Sequence, residues 1–121
     1  MKNIIIYAPV RTGRTMLAKR LRAELGDRIG TVLVVDELFA AENFNLDKDF
    51  LIVCMGWTEI SPEEEFKQRP NGNTLEYIKQ RHEECKHVRA AAQKLNLKYF
   101  DVSHNREQGI DTVLAYIAKS I

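Results

Sequence analysis

The sequence predicts an α/β fold: three layers, with a parallel sheet of about four strands between helices on both faces. Three observations predict it. Thr31–Val35 and Phe50–Met55 are continuous apolar or β-branched runs, the composition of strands buried on both faces of a parallel sheet. Two later segments carry apolar stripes at helical spacing. Strands and helices alternate along the chain, which calls for right-handed crossovers and a sheet covered on both sides.

The elements follow in order. Residues 3–7 read as the first strand. A helix follows, with Leu17, Leu21 and Leu25 on one stripe and Gly26 as its stop. Thr31–Val35 is strand two, and residues 39–48 form a short helix or loop. Phe50–Met55 is strand three. Gly56–Gly72 is polar and turn-rich, with Pro62, Pro70 and the acidic run Glu63-Glu64-Glu65; it reads as a mobile loop with one helical turn. Asn73 and Glu76 form a capping-box pair. The helix they open runs to about Leu95, with Leu75, Ile78, Cys85, Val88, Ala92 and Leu95 inward. Lys98–Val102 is strand four. Ile110, Val113, Leu114 and Ile117 mark a terminal amphipathic helix.

Composition excludes several classes. The 121 residues suit one domain, 1–121. Lys and Arg number 18 against 17 acids, so the net charge of +1 exerts no global pull toward nucleic acid or membrane. No apolar run approaches the roughly 20 residues of a membrane span, and Met1-Lys2 leads into a short strand rather than a secretory signal. Cys54 and Cys85 lack metal-ligand spacing and read as reduced core residues of a cytoplasmic protein. His82, His87 and His104 have no shared spacing that would make a metal set.

The chemistry concentrates after the first strand. Ala8-Pro9-Val10-Arg11-Thr12-Gly13-Arg14-Thr15 follows the phosphate-loop (Walker A) pattern G-x-x-x-x-G-K-[ST] as A-x-x-x-x-G-R-T. In such a loop successive amides and a helix N-terminus form an electropositive nest. Ala8, Arg11, Thr12, Gly13, Arg14 and Thr15 would surround the phosphates, Arg14 replacing the lysine and Thr15 offering its hydroxyl to Mg²⁺. Arginine is a planar fork rather than a flexible point charge, so binding survives the exchange more readily than transfer. Asp36, ending strand two beside Glu37, is a second candidate Mg²⁺ ligand. Arg69 is a candidate clamp on transferring phosphates, and Arg81 a surface arginine. Trp57 would stack on a ring or cover the core. Ligands of such sheets bind beyond the strand carboxyl ends, an edge that gathers the Ala8–Thr15 loop, Asp36, Gly56-Trp57 and Ser103–Arg106.

The chain resembles a shortened P-loop small-molecule kinase of the shikimate-kinase and nucleoside-monophosphate-kinase group. The resemblance rests on the N-terminal strand–loop–helix, on Gln68-Arg69-Pro70 with the helix after it, and on Tyr99-Phe100-Asp101-Val102-Ser103 with the last helix. Asp36 matches the first acid of that group's D-x-D element, and Leu38 stands at the second. Only Gly56 fits its glycine triplet. The resemblance implies a P-loop NTPase-like fold, ATP or another purine triphosphate with Mg²⁺, Arg69 as a lid residue and Arg106 beside the adenine. About 14 residues separate strands two and three, where these kinases place their acceptor helices, so the phosphoryl acceptor is unknown.

Three functions follow as expectations. The first is a nucleotide-binding, kinase-like protein with phosphotransferase or slow NTPase activity, using Arg14, Asp36 and Arg69. The second is a catalytically degenerate relative that binds a nucleotide or anion and works through a protein partner. The third is a nucleic-acid module using Arg11, Arg14, Lys19, Arg20 and Arg22, disfavoured because no aromatics interleave with these charges.

Overall fold

The computed structural model describes residues 1–36 and 50–121. The short helix or loop expected over residues 39–48, with Glu37 and Leu38, lies outside the described residues. The elements are β1 (Lys2–Tyr7), α1 (Arg14–Leu25), a 3₁₀ turn (Gly26–Arg28), β2 (Ile29–Val35), β3 (Phe50–Gly56), α2 (Pro62–Gln68), α3 (Leu75–Lys94), β4 (Lys98–Asp101) and α4 (Arg106–Ser120).

All four strands are parallel, in the order β2-β1-β3-β4. The period-two alternation of β1 assigns the layers. Ile4 and Ile6 face Leu17 and Leu21 of α1 and Ile110, Val113, Leu114 and Ile117 of α4. Ile5 and Tyr7 face Val88 and Ala92 of α3 on the other side. Ile4, Ile5 and Ile6 are fully buried, each contributing about 1.5–3 kcal/mol relative to an exposed side chain. The α/β architecture, the parallel sheet and the two helical layers therefore match the expectation.

The strand order places the functional edge. From β1 the chain crosses through α1 to β2, and from β3 it crosses through α2 and α3 to β4 on the opposite side. The carboxyl ends of β1 and β3 are therefore neighbours whose following segments diverge. Such a switch point leaves a crevice where ligands of open parallel sheets bind.

Three local expectations are corrected. Strand β2 is not buried on both faces: among the described residues it pairs only with β1, and Leu33 and Val34 are exposed at this edge. Gly56–Gly72 is not one loop, because it contains helix α2. Ser61 caps that helix by accepting from the Glu64 amide at 3.1 Å, Pro62 occupies its first turn, and the acidic run favours its positive end. Helix α3 is capped one residue later than expected, Thr74 Oγ1 accepting from the Tyr77 amide at 3.1 Å. Gly26 ends α1 as expected, with right-handed backbone, the chain tightening directly into the 3₁₀ turn.

Candidate anion-binding site

The β1–α1 loop begins where β1 ends. Ala8 donates its amide to the Val35 carbonyl at 3.1 Å, fastening the loop to β2. Thr12 is buried, and its hydroxyl donates to the Pro9 carbonyl at 2.8 Å, closing the turn from inside. Arg11 and Gly13 have left-handed backbone, φ 76° and 84°, and Thr12 between them does not. Left-handed residues of this kind are a backbone element from which anion nests are built. Gly13 is also the N-cap of α1 and offers no side chain to cap it. Among the described residues no acceptor meets the Gly13, Arg14 or Thr15 amides. These are orphan donors at a positive helix end.

Arg14 and Asp36 meet each other. One Arg14 Nη donates to the Ala8 carbonyl at 2.8 Å and also pairs with the Asp36 carboxylate. The guanidinium thus lies across the outer wall of the loop. Thr15 is exposed on the first turn of α1. A groove of about 520 Å³ adjoins this wall, lined by Tyr7, Asp36, Arg81, Glu84 and His87.

On the other side of the loop three arginines converge on one carboxylate. Glu65 is fully buried. Its Oε2 accepts from Arg106 Nη2 at 2.7 Å and from Arg11 Nη2 at 3.3 Å, and its Oε1 accepts from Arg69 Nη1 at 2.7 Å. Backbone carbonyls take up further donors: Arg11 donates to the Arg69 carbonyl, and Arg106 to those of Arg11, at 2.9 Å, and Val102. Burial lowers the Arg106 pKa from its ordinary value; Glu65 opposes this, and the neighbouring Arg69 and Arg11 charges add to it. The hub brings together three of the expected residues, Arg11, Arg69 and Arg106, but aims them at a protein carboxylate. The sequence reading missed Glu65, having placed it in the acidic run of a mobile loop. The signal that could have found it is the Ser61-Pro62 helix start, which sets Glu65 and Arg69 four apart on one helical turn.

A second carboxylate closes the β3–β4 side. Asp101 accepts from the Thr58 amide, the Thr58 hydroxyl and the Tyr99 hydroxyl, each at 2.8 Å, from the Ser103 amide at 3.0 Å, and from the Ser103 hydroxyl. Burial alone would raise its pKa. The hydrogen bonds from Ser103, Thr58 and Tyr99 outweigh burial and hold the carboxyl below its ordinary range.

Other expected residues fall elsewhere. Trp57 is fully buried against Ile78 and Cys85 and covers the core rather than facing a ligand. Arg81 lies over the Tyr77 ring and pairs with Glu84 by charge rather than by an aligned hydrogen bond. Arg20 ties α1 to α4 through Asp111 at 2.5 Å. Cys54 and Cys85 are free and buried, and burial pushes both thiols up to about 12. Among the described residues no group of three or more His, Cys, Asp and Glu is arranged to hold a metal, and no helix is long and apolar enough to cross a membrane. The class defined here is an open parallel α/β sheet with a loop and the N-terminus of α1 at its switch point. Comparison with protein-family models gives no match, and comparison with curated proteins gives none either.

Proposed function

We propose that this chain binds the phosphate group of a nucleotide in the Ala8–Thr15 loop. The observation that carries the reading is the Arg11–Gly13 backbone alternation, with orphan amides at the α1 N-terminus. The switch-point position and the adjoining groove supply a place and space for the rest of the ligand. ATP or another purine triphosphate is the nucleotide class the P-loop resemblance implies, and a kinase-like fold belongs to the same proposal.

The Arg14–Asp36 pair favours the binding role over phosphoryl transfer. Thr15 and Asp36 would hold Mg²⁺ together with phosphate oxygens only after Arg14 releases the carboxylate. The functional reading is therefore a degenerate P-loop protein that binds a nucleotide or related anion without requiring the metal, and that acts through a partner.

Calorimetric titration with ATP, GTP and their diphosphates, with and without Mg²⁺, tests this. Binding should persist without Mg²⁺ and fail in Gly13→Ala. A protein with no affinity for any phosphate compound would overturn the reading. Binding that appears only with Mg²⁺ and is lost in Asp36→Asn would restore the metal-dependent, kinase-like alternative.

A further inference from the structure

Helix α2 is anchored by charge. Its seven residues bury one side chain, and that side chain is the Glu65 carboxylate. Phe66 beside it is exposed. A surface helix ordinarily holds on through an apolar stripe. Helix α2 packs on α3, where Lys79 reaches Glu63 at 4.0 Å, and is otherwise held among the described residues by ion pairs from Glu65 to Arg11 and Arg106, the Glu65–Arg69 pair lying within its own last turn. An apolar anchor has no small-molecule competitor in water, whereas a carboxylate can be replaced by another anion.

The charges in the hub do not balance. Three guanidiniums meet one carboxylate, a surplus of two positive charges (three minus one) softened by backbone carbonyls. Arg11 adds an independent sign. Its side chain is only 8% exposed, yet its Nε finds no acceptor among the described residues. A buried donor without a partner is costly, and native proteins leave few.

The hub is continuous with the loop. Arg11 contributes its left-handed backbone to the loop and its guanidinium to Glu65. Arg106 Nε donates to the Arg11 carbonyl at 2.9 Å, which helps hold that non-glycine residue in a sparsely populated conformation. A group that reorganised the arginines would therefore be felt in the loop, and the reverse.

We infer that Arg11 and Arg106 form a second anion subsite in which Glu65 is the resident anion, and that a diphosphate-bearing ligand places one phosphate in the loop and the other between these two arginines, displacing Glu65 together with its helix-mate Arg69 and releasing α2. The inference rests on the proposed loop reading for the position of the first phosphate. A phosphate suits the subsite better than a carboxylate does, because it carries more charge against the surplus and more acceptor oxygens, including one for Arg11 Nε. Release of α2 is then a ligand-dependent signal at the surface that bears Phe66.

Inorganic diphosphate is the probe, with amide hydrogen exchange and calorimetry as readouts. In the wild type, diphosphate should protect the amides of residues 10–16 and speed exchange in Pro62–Gln68 by about tenfold or more. Glu65→Gln should bind diphosphate about tenfold more tightly than the wild type, because the competing anion is gone. Protection of 10–16 with unchanged exchange in α2, and equal affinity in both proteins, would overturn this inference and leave the loop reading standing. Faster exchange in α2 and tighter binding by Glu65→Gln without protection of 10–16 would do the opposite. Binding by neither protein would overturn both. If Glu65→Gln does not fold, the wild-type exchange pattern decides alone.

Discussion

Glu65 and Asp101 are both drawn inward at the carboxyl edge of the sheet, and their partners differ in kind. Asp101 is met by neutral donors, the hydroxyls and amides of Thr58, Tyr99 and Ser103. Tyr99 and Ser103 flank Asp101 in sequence, and Thr58 lies just beyond the end of β3, the strand that β4 pairs with, so two adjacent strand ends supply the whole set. Glu65 is met by three guanidiniums from the β1–α1 loop, the end of α2 and the start of α4. The Asp101 set uses one negative charge to organise dipoles. The Glu65 set uses it to hold a larger positive charge. A neutral donor set reads as structure; a charged set with a surplus reads as a binding surface filled by the protein's own side chain.

The largest expected effect tests the charged half of this comparison. Glu65→Gln leaves three partly buried guanidiniums sharing one neutral acceptor. Removing one partner of a buried ion pair typically costs about 3–5 kcal/mol, readable by urea unfolding in a buffer free of phosphate and sulfate. Added diphosphate should recover part of the loss. A cost below about 1 kcal/mol, the range of exposed ion pairs, would make the hub an ordinary surface network and erase the contrast with Asp101.

Asp101→Asn tests the neutral half, with a smaller effect and a defined pH dependence. The amide keeps one acceptor oxygen but turns an NH₂ toward existing donors, at a cost of about 1–3 kcal/mol near neutral pH. The folded pKa of Asp101 is depressed. Its contribution is therefore complete above the unfolded value, about 3.9, and is lost as pH falls through the lower folded value. Wild type and variant should converge in unfolding free energy in that acid range. Diphosphate should not rescue this variant, in contrast to Glu65→Gln.

Gly13→Ala probes the loop itself. A non-glycine residue in left-handed backbone costs about 1–2 kcal/mol. The added Cβ would lie 2.8 Å from Ile110 Cδ1, the far end of a flexible side chain that can move aside. The protein should therefore stay folded, with a slightly lower Tm, while phosphate affinity measured by calorimetry falls by about tenfold or more as the amides are re-aimed. Unchanged affinity would show that the loop is a turn and not a nest.

Much of this geometry was legible in the sequence where local chemistry decides it. The four strands, α1, α3, α4 and the Ala8–Thr15 loop follow from apolar period and the Gly13 turn. The edge position of β2 was not legible, because Val32-Leu33-Val34-Val35 has the same composition whether a strand is central or at an edge. Helix α2 was obscured by Pro62 and the acidic run, although proline and acids are favourable in a first turn. Arg11, Arg69 and Arg106 could be named as anion ligands from residue type. Their convergence on Glu65 joins positions 54 and 41 residues from it along the chain, and no local pattern encodes that. The Arg14–Asp36 pair was hidden for the same reason, since each residue was read against an expected ligand rather than against the other.

The smallest expected effect concerns the packing behind α2. His82 is buried against Trp57, ring centroids 4.9 Å apart, and among the described residues neither His82 Nε2 nor Trp57 Nε1 has a partner. Burial lowers the His82 pKa, and Lys86 lowers it further; Glu83, the Ile60 backbone and Asp101 act in the opposite direction. The sign follows from the depressed value. The unfolded chain takes up the His82 proton at higher pH than the folded protein does, so stability is full above the unfolded pKa of about 6.5 and declines as pH falls toward the folded value. His82→Phe keeps an aromatic ring beside Trp57 and removes the titration. Its thermal unfolding should therefore lose less between pH 7.5 and pH 5.5 than that of the wild type, by well under about 1 kcal/mol, with Trp57 fluorescence reporting the transition. The same slope in both proteins would place the acid sensitivity elsewhere. A slope abolished in His82→Phe and also in Glu65→Gln would show that the charged hub and the aromatic packing behind α2 loosen as one unit, joining the binding edge to the core of the α3 layer.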